Sequence, residues 1–264
     1  MIASLKIHRR KALLAGAFFL VSPLLHAAPT RPWREVYQEH REAIASLSPL
    51  EGCSSAQGEA LLHYEKKGHK AEGKRILVLS LIHGNEIPAG HLGFRWVRRL
   101  LKLSPSNSWF IVPVLNPDAV AKVTRTDHEG VDLNRNFPTM DWETAAHSYW
   151  KHLGQRPEKF PGTRAAQGPV VQCVVKLIDE YRPDLIVSIH TPFAVLDYDG
   201  PAYKKPRVFP MPWKSLGHYP GSLGRYAWAE RGIPVLTVEL PPAPAETLFS
   251  QMERFQDELS FLAR

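Results

Sequence analysis

The sequence predicts an α/β fold, a sheet with helices on both faces. Two observations predict it. Four short apolar runs, at 74–82, 108–115, 184–190 and 234–240, are leucine-rich and β-branched with little alternation. Strands covered on both faces read this way. Segments of helical length separate most of them. The 264 residues are 44% hydrophobic and 22% charged, a globular composition.

The first residues stand apart. Residues 1–11 carry Lys6, Arg9, Arg10 and Lys11 and no acid, and LLAGAFFLVSPLL follows, ending near Ala27 and Ala28. A basic start, a short apolar run and small residues predict a secretory signal over 1–28, cleaved near Ala27 or Ala28. The alternative is a membrane anchor or a buried N-terminal helix. The run of 13 is short for a bilayer and Pro23 interrupts it, so stable membrane insertion after cleavage is not expected. Arg9-Arg10 raises a twin-arginine route, which the following residues fit poorly. The remainder, 29–264, is expected to be one domain.

The other elements follow in order. Residues 33–47 suit a helix. The strand at 74–82 leads to HGNE, and Pro88 opens a helix to about 102. After the strand at 108–115, residues 116–168 are rich in Asn, Asp, Pro and Gly and read mostly as loop. A helix at 169–181 stops before Pro183, and 184–190 is the third strand. Residues 191–222 read as a long ordered surface segment. A helix near 222–232, the fourth strand at 234–240 and a closing helix at 245–263 complete the chain. Loops this long in a compact domain are usually functional.

Charge limits the partners. The formal net charge is +7, and four positive charges lie in the leader, which leaves +3. No basic block is interleaved with aromatics, so nucleic acid is not expected as a partner. A mildly positive surface suits an anionic substrate. Cys53 and Cys173 have no metal-type spacing. An oxidising compartment permits a bridge between them, and two separate buried thiols are the alternative.

Four polar segments fall at strand ends or in the loops. His83 and Glu86 follow the first buried strand, and His190 ends the third. Each alone is more often an ordinary polar residue. Together they form a His₂Glu set, and catalytic zinc takes three protein ligands with one position open for water. Glu239 ends the apolar run PVLTVEL, where a carboxylate needs a partner or a task. Near a metal it is a candidate general base and acid. In GVDLNRNFP, Asn134 and Arg135 offer an amide beside a guanidinium fork that suits a carboxylate. Asp132 is placed to accept a ring N–H from a metal-binding His, and Arg125 to stabilise an oxyanion.

HGNE, Asn116-Pro117-Asp118, Arg125, DLNRNF, SIH and VEL occur in the order seen in the M14-type zinc carboxypeptidases, which the chain resembles over about 74–240. The resemblance implies a single-domain fold whose central sheet is mixed, mostly parallel and twisted. It implies one Zn²⁺ per chain held by His83, Glu86 and His190, with Asp132 supporting a ligand. Arg125 becomes the oxyanion residue, Asn134 and Arg135 the carboxylate grip, and Glu239 the catalytic acid–base. Within the family, HTPFAVLDYDGPA and PGSLGRYAWAERGIPVLTVELP look most like the bacterial murein peptide amidases. That resemblance implies a murein peptide substrate, cut at the γ-D-glutamyl–diaminopimelate amide, and a periplasmic enzyme. Departures fall on substrate positions. Asn85 stands where digestive relatives carry Arg, and Tyr219 is an uncertain counterpart of the substrate Tyr. Two other readings compete: an N-acyl amino acid deacylase of the aspartoacylase or succinylglutamate desuccinylase type, and a non-catalytic wall-binding protein.

Overall fold

The computed structural model describes residues 32–202 and 210–262. The expected signal at 1–28 lies outside them. Seven strands form one sheet: β1 (Ser48–Ser54), β2 (Ala60–Lys66), β3 (Arg75–Ser80), β4 (Ser108–Val112), β5 (Leu185–His190), β6 (Val195–Asp199) and β7 (Val235–Glu239). The helices are α1 (Trp33–Val36), α2 (Arg41–Ala45), α3 (Ile87–Lys102), α4 (Pro117–Lys122), α5 (Trp142–His152), α6 (Pro169–Tyr181) and α7 (Glu246–Phe255).

The strand order is β1-β2-β4-β3-β5-β7-β6. β4, β3, β5 and β7 are parallel neighbours, and antiparallel pairs close both edges. Parallel pairing therefore holds only in the centre, in the four strands that the apolar runs mark. The alternation along β3 explains the two layers. Ile76 and Val78 pack with Phe94, Trp96 and Val97 of α3 and Met252 of α7. Leu77 and Leu79 face the other way, toward Val170, Val174 and Ile178 of α6. Both faces are thus covered, as a parallel sheet requires.

Several segments differ from expectation. The N-terminal helix is broken into α1, a 3-10 turn and α2. α4 and α5 lie in the region read as loop. α5 buries only Trp142 and Ala146, so its apolar stripe is too thin to stand out. β6 lies within 191–222, the stretch read as a long ordered surface segment with no strand assigned. Residues Arg225–Ala229 form a π-helical turn, and the closing helix passes into 3-10 at Gln256–Leu262. Cys53 of β1 and Cys173 of α6 are joined as a disulfide, with Cα atoms 5.6 Å apart.

The topology builds a cleft. From β3 the chain moves to β4 on one side and returns to β5 on the other. Loops part at such a switch point, beyond the carboxyl ends of the strands. His83 and Glu86 follow β3, His190 ends β5, and Glu239 ends β7 directly beside His190.

Candidate metal centre and substrate cleft

The HGNE turn is held by its neighbours. A Cβ on Gly84 would lie 2.0 Å from the carbonyl carbon of Ala119, so only glycine lets α4 pack this closely. Asn116 caps α4 through its Oδ1, which accepts from Ala119 N at 3.2 Å, and its Nδ2 donates to Ile82 O. Asp118 accepts from Ser55 Oγ and Gln57 N. The Asn-Pro-Asp stretch therefore locks the loop that carries His83 and Glu86.

His83, Glu86 and His190 are all buried and bring one donor atom each within 4.8 Å of one another. His83 Nδ1 lies 2.8 Å from Glu86 Oε1, and His190 Nδ1 lies 2.9 Å from Glu86 Oε2. The far nitrogens are engaged: His83 Nε2 is 3.0 Å from Asp132 Oδ1, and His190 Nε2 is 2.9 Å from Ser188 Oγ. A proton on Nε2 of His83, donated to Asp132, leaves the Nδ1 lone pair free. Two imidazole nitrogens and a carboxylate with such outer partners fit zinc.

Charge organises this centre. Burial acts to raise Glu86, but His83 and His190 beside it hold the carboxyl well below the usual carboxylate range. Asp132 is fully buried; burial again opposes ionisation, and His83 and Arg125 outweigh it. Burial acts to lower His190, but Glu86 raises it overall. Glu239 is pushed up by burial, although His190 works against that shift. Its carboxylate meets the Phe193 N–H at 3.5 Å.

The remaining expected residues surround a cleft of about 370 Å³. Arg125 donates from Nε to Asp132 at 3.1 Å and from Nη1 to Glu86 at 3.3 Å. Asn134 Oδ1 accepts from Leu223 N, which leaves its NH₂ as the group it can offer. Arg135 is buried, donates from Nη1 to Asn134 O, and stacks over the Tyr219 ring at 4.8 Å. Its Nε is buried without a partner among the described residues. The Tyr219 hydroxyl donates to Leu216 O and its ring stacks on Tyr149, so its role here is to support Arg135. Asn85 is exposed and does not line the cleft.

Some cleft residues were not foreseen. Lys159 lines it, lowered to about 8 by burial and by Arg125. Asp197 and Asp199 of β6 also line it. Their signal was present as the alternation in VLDYD, hidden by the Pro and Gly that flank it.

A donor set of this kind, beside a buried carboxylate and open to a cleft, belongs to the hydrolytic metalloenzymes. Comparison with known proteins agrees. The zinc carboxypeptidase family profile matches residues 47–206. Murein peptide amidase A of Vibrio campbellii is 31% identical over 222 residues, covering 79% of this chain and 86% of that protein. The murein-tripeptide amidase MpaA structure from Escherichia coli O157 has a TM-score of 0.61 at 22% identity, covering 90% of this chain and 99% of the other. Bovine thrombin-activatable fibrinolysis inhibitor gives 0.66 at 16% identity, covering 88% and 96%. The chain belongs to the zinc carboxypeptidase family and is a hydrolytic enzyme.

Proposed function

We propose that this protein is an exported, zinc-dependent peptidase that hydrolyses the γ-D-glutamyl–meso-diaminopimelate amide of murein peptides. One observation carries the reading: the Nδ1 atoms of His83 and His190 converge on Glu86 in a cleft that also holds Glu239 and Arg135. The relatedness to murein peptide amidase A supports the substrate class.

His83, Glu86 and His190 hold one zinc per chain. The ion supplies Lewis acidity, which activates water and polarises a carbonyl. Asp132 keeps His83 in the tautomer that ligates through Nδ1. Glu239 takes the proton from the attacking water and gives it to the departing amine. Burial suits this task, because it raises the carboxyl toward the working pH. Arg125, beside Glu86, is the cation for the negative charge that develops on the carbonyl oxygen. Arg135 and the Asn134 NH₂ grip a substrate carboxylate, with Tyr219 holding the guanidinium flat. Asn85, at the surface, acts only on parts of the substrate outside the cleft.

Residues 1–28 are read as the export signal, which sets the enzyme against the wall in the periplasm. N-terminal sequencing of the exported protein should begin just after Ala27 or Ala28. Mass analysis of products tests the activity. L-Ala-γ-D-Glu-diaminopimelate should yield L-Ala-γ-D-Glu and free diaminopimelate. Turnover of N-acetylaspartate or N-succinylglutamate with no cleavage of the tripeptide would assign the deacylase activity instead.

A further inference from the structure

A second group of ligand-type side chains lies away from the cleft. Glu39 and His40 stand in the 3-10 turn Gln38–His40, and His91 stands on the second turn of α3. None of the three lines the cleft. His40 Nε2 lies 3.0 Å from His91 Nδ1. Glu39 Oε1 lies 3.1 Å from His91 Nδ1 and 3.8 Å from His40 Nε2. Donor atoms bound at about 2.0–2.1 Å to a tetrahedral zinc are about 3.3 Å apart. The three separations bracket that value.

Hydrogen bonding alone serves this arrangement poorly. The two facing ring nitrogens have room for one proton between them, and Glu39 only accepts. If His91 Nδ1 carries the proton, the His40 lone pair faces the Glu39 carboxylate. If His40 Nε2 carries it, the His91 lone pair faces that carboxylate instead. A cation at the centre gives all three lone pairs a partner. Both rings are in the form that ligates, the neutral imidazole. Burial holds His40 down at about 4, and burial also lowers His91, against the pull of Glu39.

The surroundings hold the rings in place. Phe94 stacks on His40 with centroids 5.4 Å apart, and Tyr37 meets His91 edge-on at 4.9 Å. A Cβ on Gly90 would lie 2.5 Å from Tyr37 Cζ, so only glycine lets α3 meet this turn so closely. The nearby cations are engaged elsewhere: Arg95 pairs with Glu246 and Arg98 with Glu253. Glu39 is exposed, so the cluster opens to solvent on one side.

The geometry points to a second divalent-metal site, formed by Glu39, His40 and His91, that pins the N-terminal turn to α3. The site stands apart from the peptidase reading. Two imidazoles and a carboxylate suit zinc and similar transition metals better than magnesium or calcium. Three protein ligands leave a position for water on the exposed side. His40 Nδ1 is buried without a partner among the described residues, whereas His83 Nε2 meets Asp132. Such an outer partner is worth about 10- to 100-fold in metal affinity, so the second site binds zinc more weakly by about that factor. It fills after the catalytic centre. Turnover follows the first zinc, and the second acts on stability.

The test starts from enzyme carrying one zinc, dialysed against rising free zinc, with bound metal and Tm read at each step. A second equivalent should bind. Free zinc about 100-fold above its Kd should raise Tm by about 5–10 °C. Glu39→Gln and His91→Gln each replace a side chain that reaches the surface. Each should weaken the second step by at least about tenfold, remove the Tm rise and leave the first equivalent and tripeptide turnover unchanged. The wild-type measurement needs no variant to fold: a stoichiometry that stays at one, with free zinc about 10⁴-fold above the first site's Kd, overturns the proposal. A second equivalent held equally well by both variants places the ion elsewhere and overturns it too. So does a second equivalent that binds without raising Tm, since an ion held by the folded turn and α3 must stabilise them.

Discussion

Replacing Asp132 by Asn removes a buried negative charge beneath His83 while keeping the side chain's shape. In the native protein Asp132 Oδ1 lies 3.0 Å from His83 Nε2 and accepts from Asn134 N at 3.0 Å, and Oδ2 accepts from Arg125 Nε at 3.1 Å. One Asn cannot serve all three, because its NH₂ must face either His83 or Arg125, and both present donors. His83 then loses its charged acceptor, and with it the pull that favours the Nδ1 lone pair. Outer partners of this type are worth 10- to 100-fold in metal affinity, or about 1.4–2.7 kcal/mol. Zinc affinity should be measured by competition with a chromophoric chelator at neutral pH. A calorimetric scan of both zinc-free proteins would separate lost affinity from lost folding. Native zinc affinity in a folded Asp132→Asn protein would refute the role given to Asp132.

Other consequences follow from the same geometry. Glu239→Gln should keep its zinc and lose about 10²–10⁴-fold in kcat, read by tripeptide turnover beside metal content. Arg135→Lys should raise KM at least about tenfold, because a lysine neither forks onto a carboxylate nor stacks on Tyr219; an unchanged KM would remove Arg135 from substrate binding. The disulfide between Cys53 and Cys173 spans 120 residues, so the double Ser variant should lose roughly 2–5 kcal/mol and melt roughly 5–15 °C lower. Asp199 has a raised folded pKa of about 6, so its ionisation reduces stability as pH rises from about 4 through 6. Asp199→Asn should therefore gain Tm relative to wild type at pH 7.5 compared with pH 4.5, and an equal Tm difference at both pH values would contradict that assignment of strain.

Much of the fold was legible because the central strands are buried on both faces. Ile76, Leu77, Val78 and Leu79 leave no polar position to confuse the reading. The edges were not legible. β1 holds Pro49 and Gly52 and is mostly exposed, and β2 mixes His63, Glu65 and Lys66 into its run. Edge strands carry little burial, so the pattern that reveals a strand fades there. The same applies to α5, whose contact face is two residues wide. The metal set was legible because its three residues sit at the ends of legible strands. What sequence could not supply was orientation: that Tyr219 turns its hydroxyl to Leu216 and its ring to Arg135, and that Asn85 faces solvent. Asn85 lies outside the cleft, whereas Asp197 and Asp199 line it from a strand that flanking Pro and Gly concealed.

The central claim is a single zinc at His83, Glu86 and His190 driving cleavage of a murein amide. The most direct measurement follows product masses from L-Ala-γ-D-Glu-diaminopimelate with zinc-loaded, chelator-stripped and zinc-restored enzyme. The account predicts L-Ala-γ-D-Glu and diaminopimelate from the loaded enzyme, none from the stripped enzyme, and recovery at one zinc per chain. Undiminished cleavage by fully stripped enzyme, or cleavage at another bond, would contradict it.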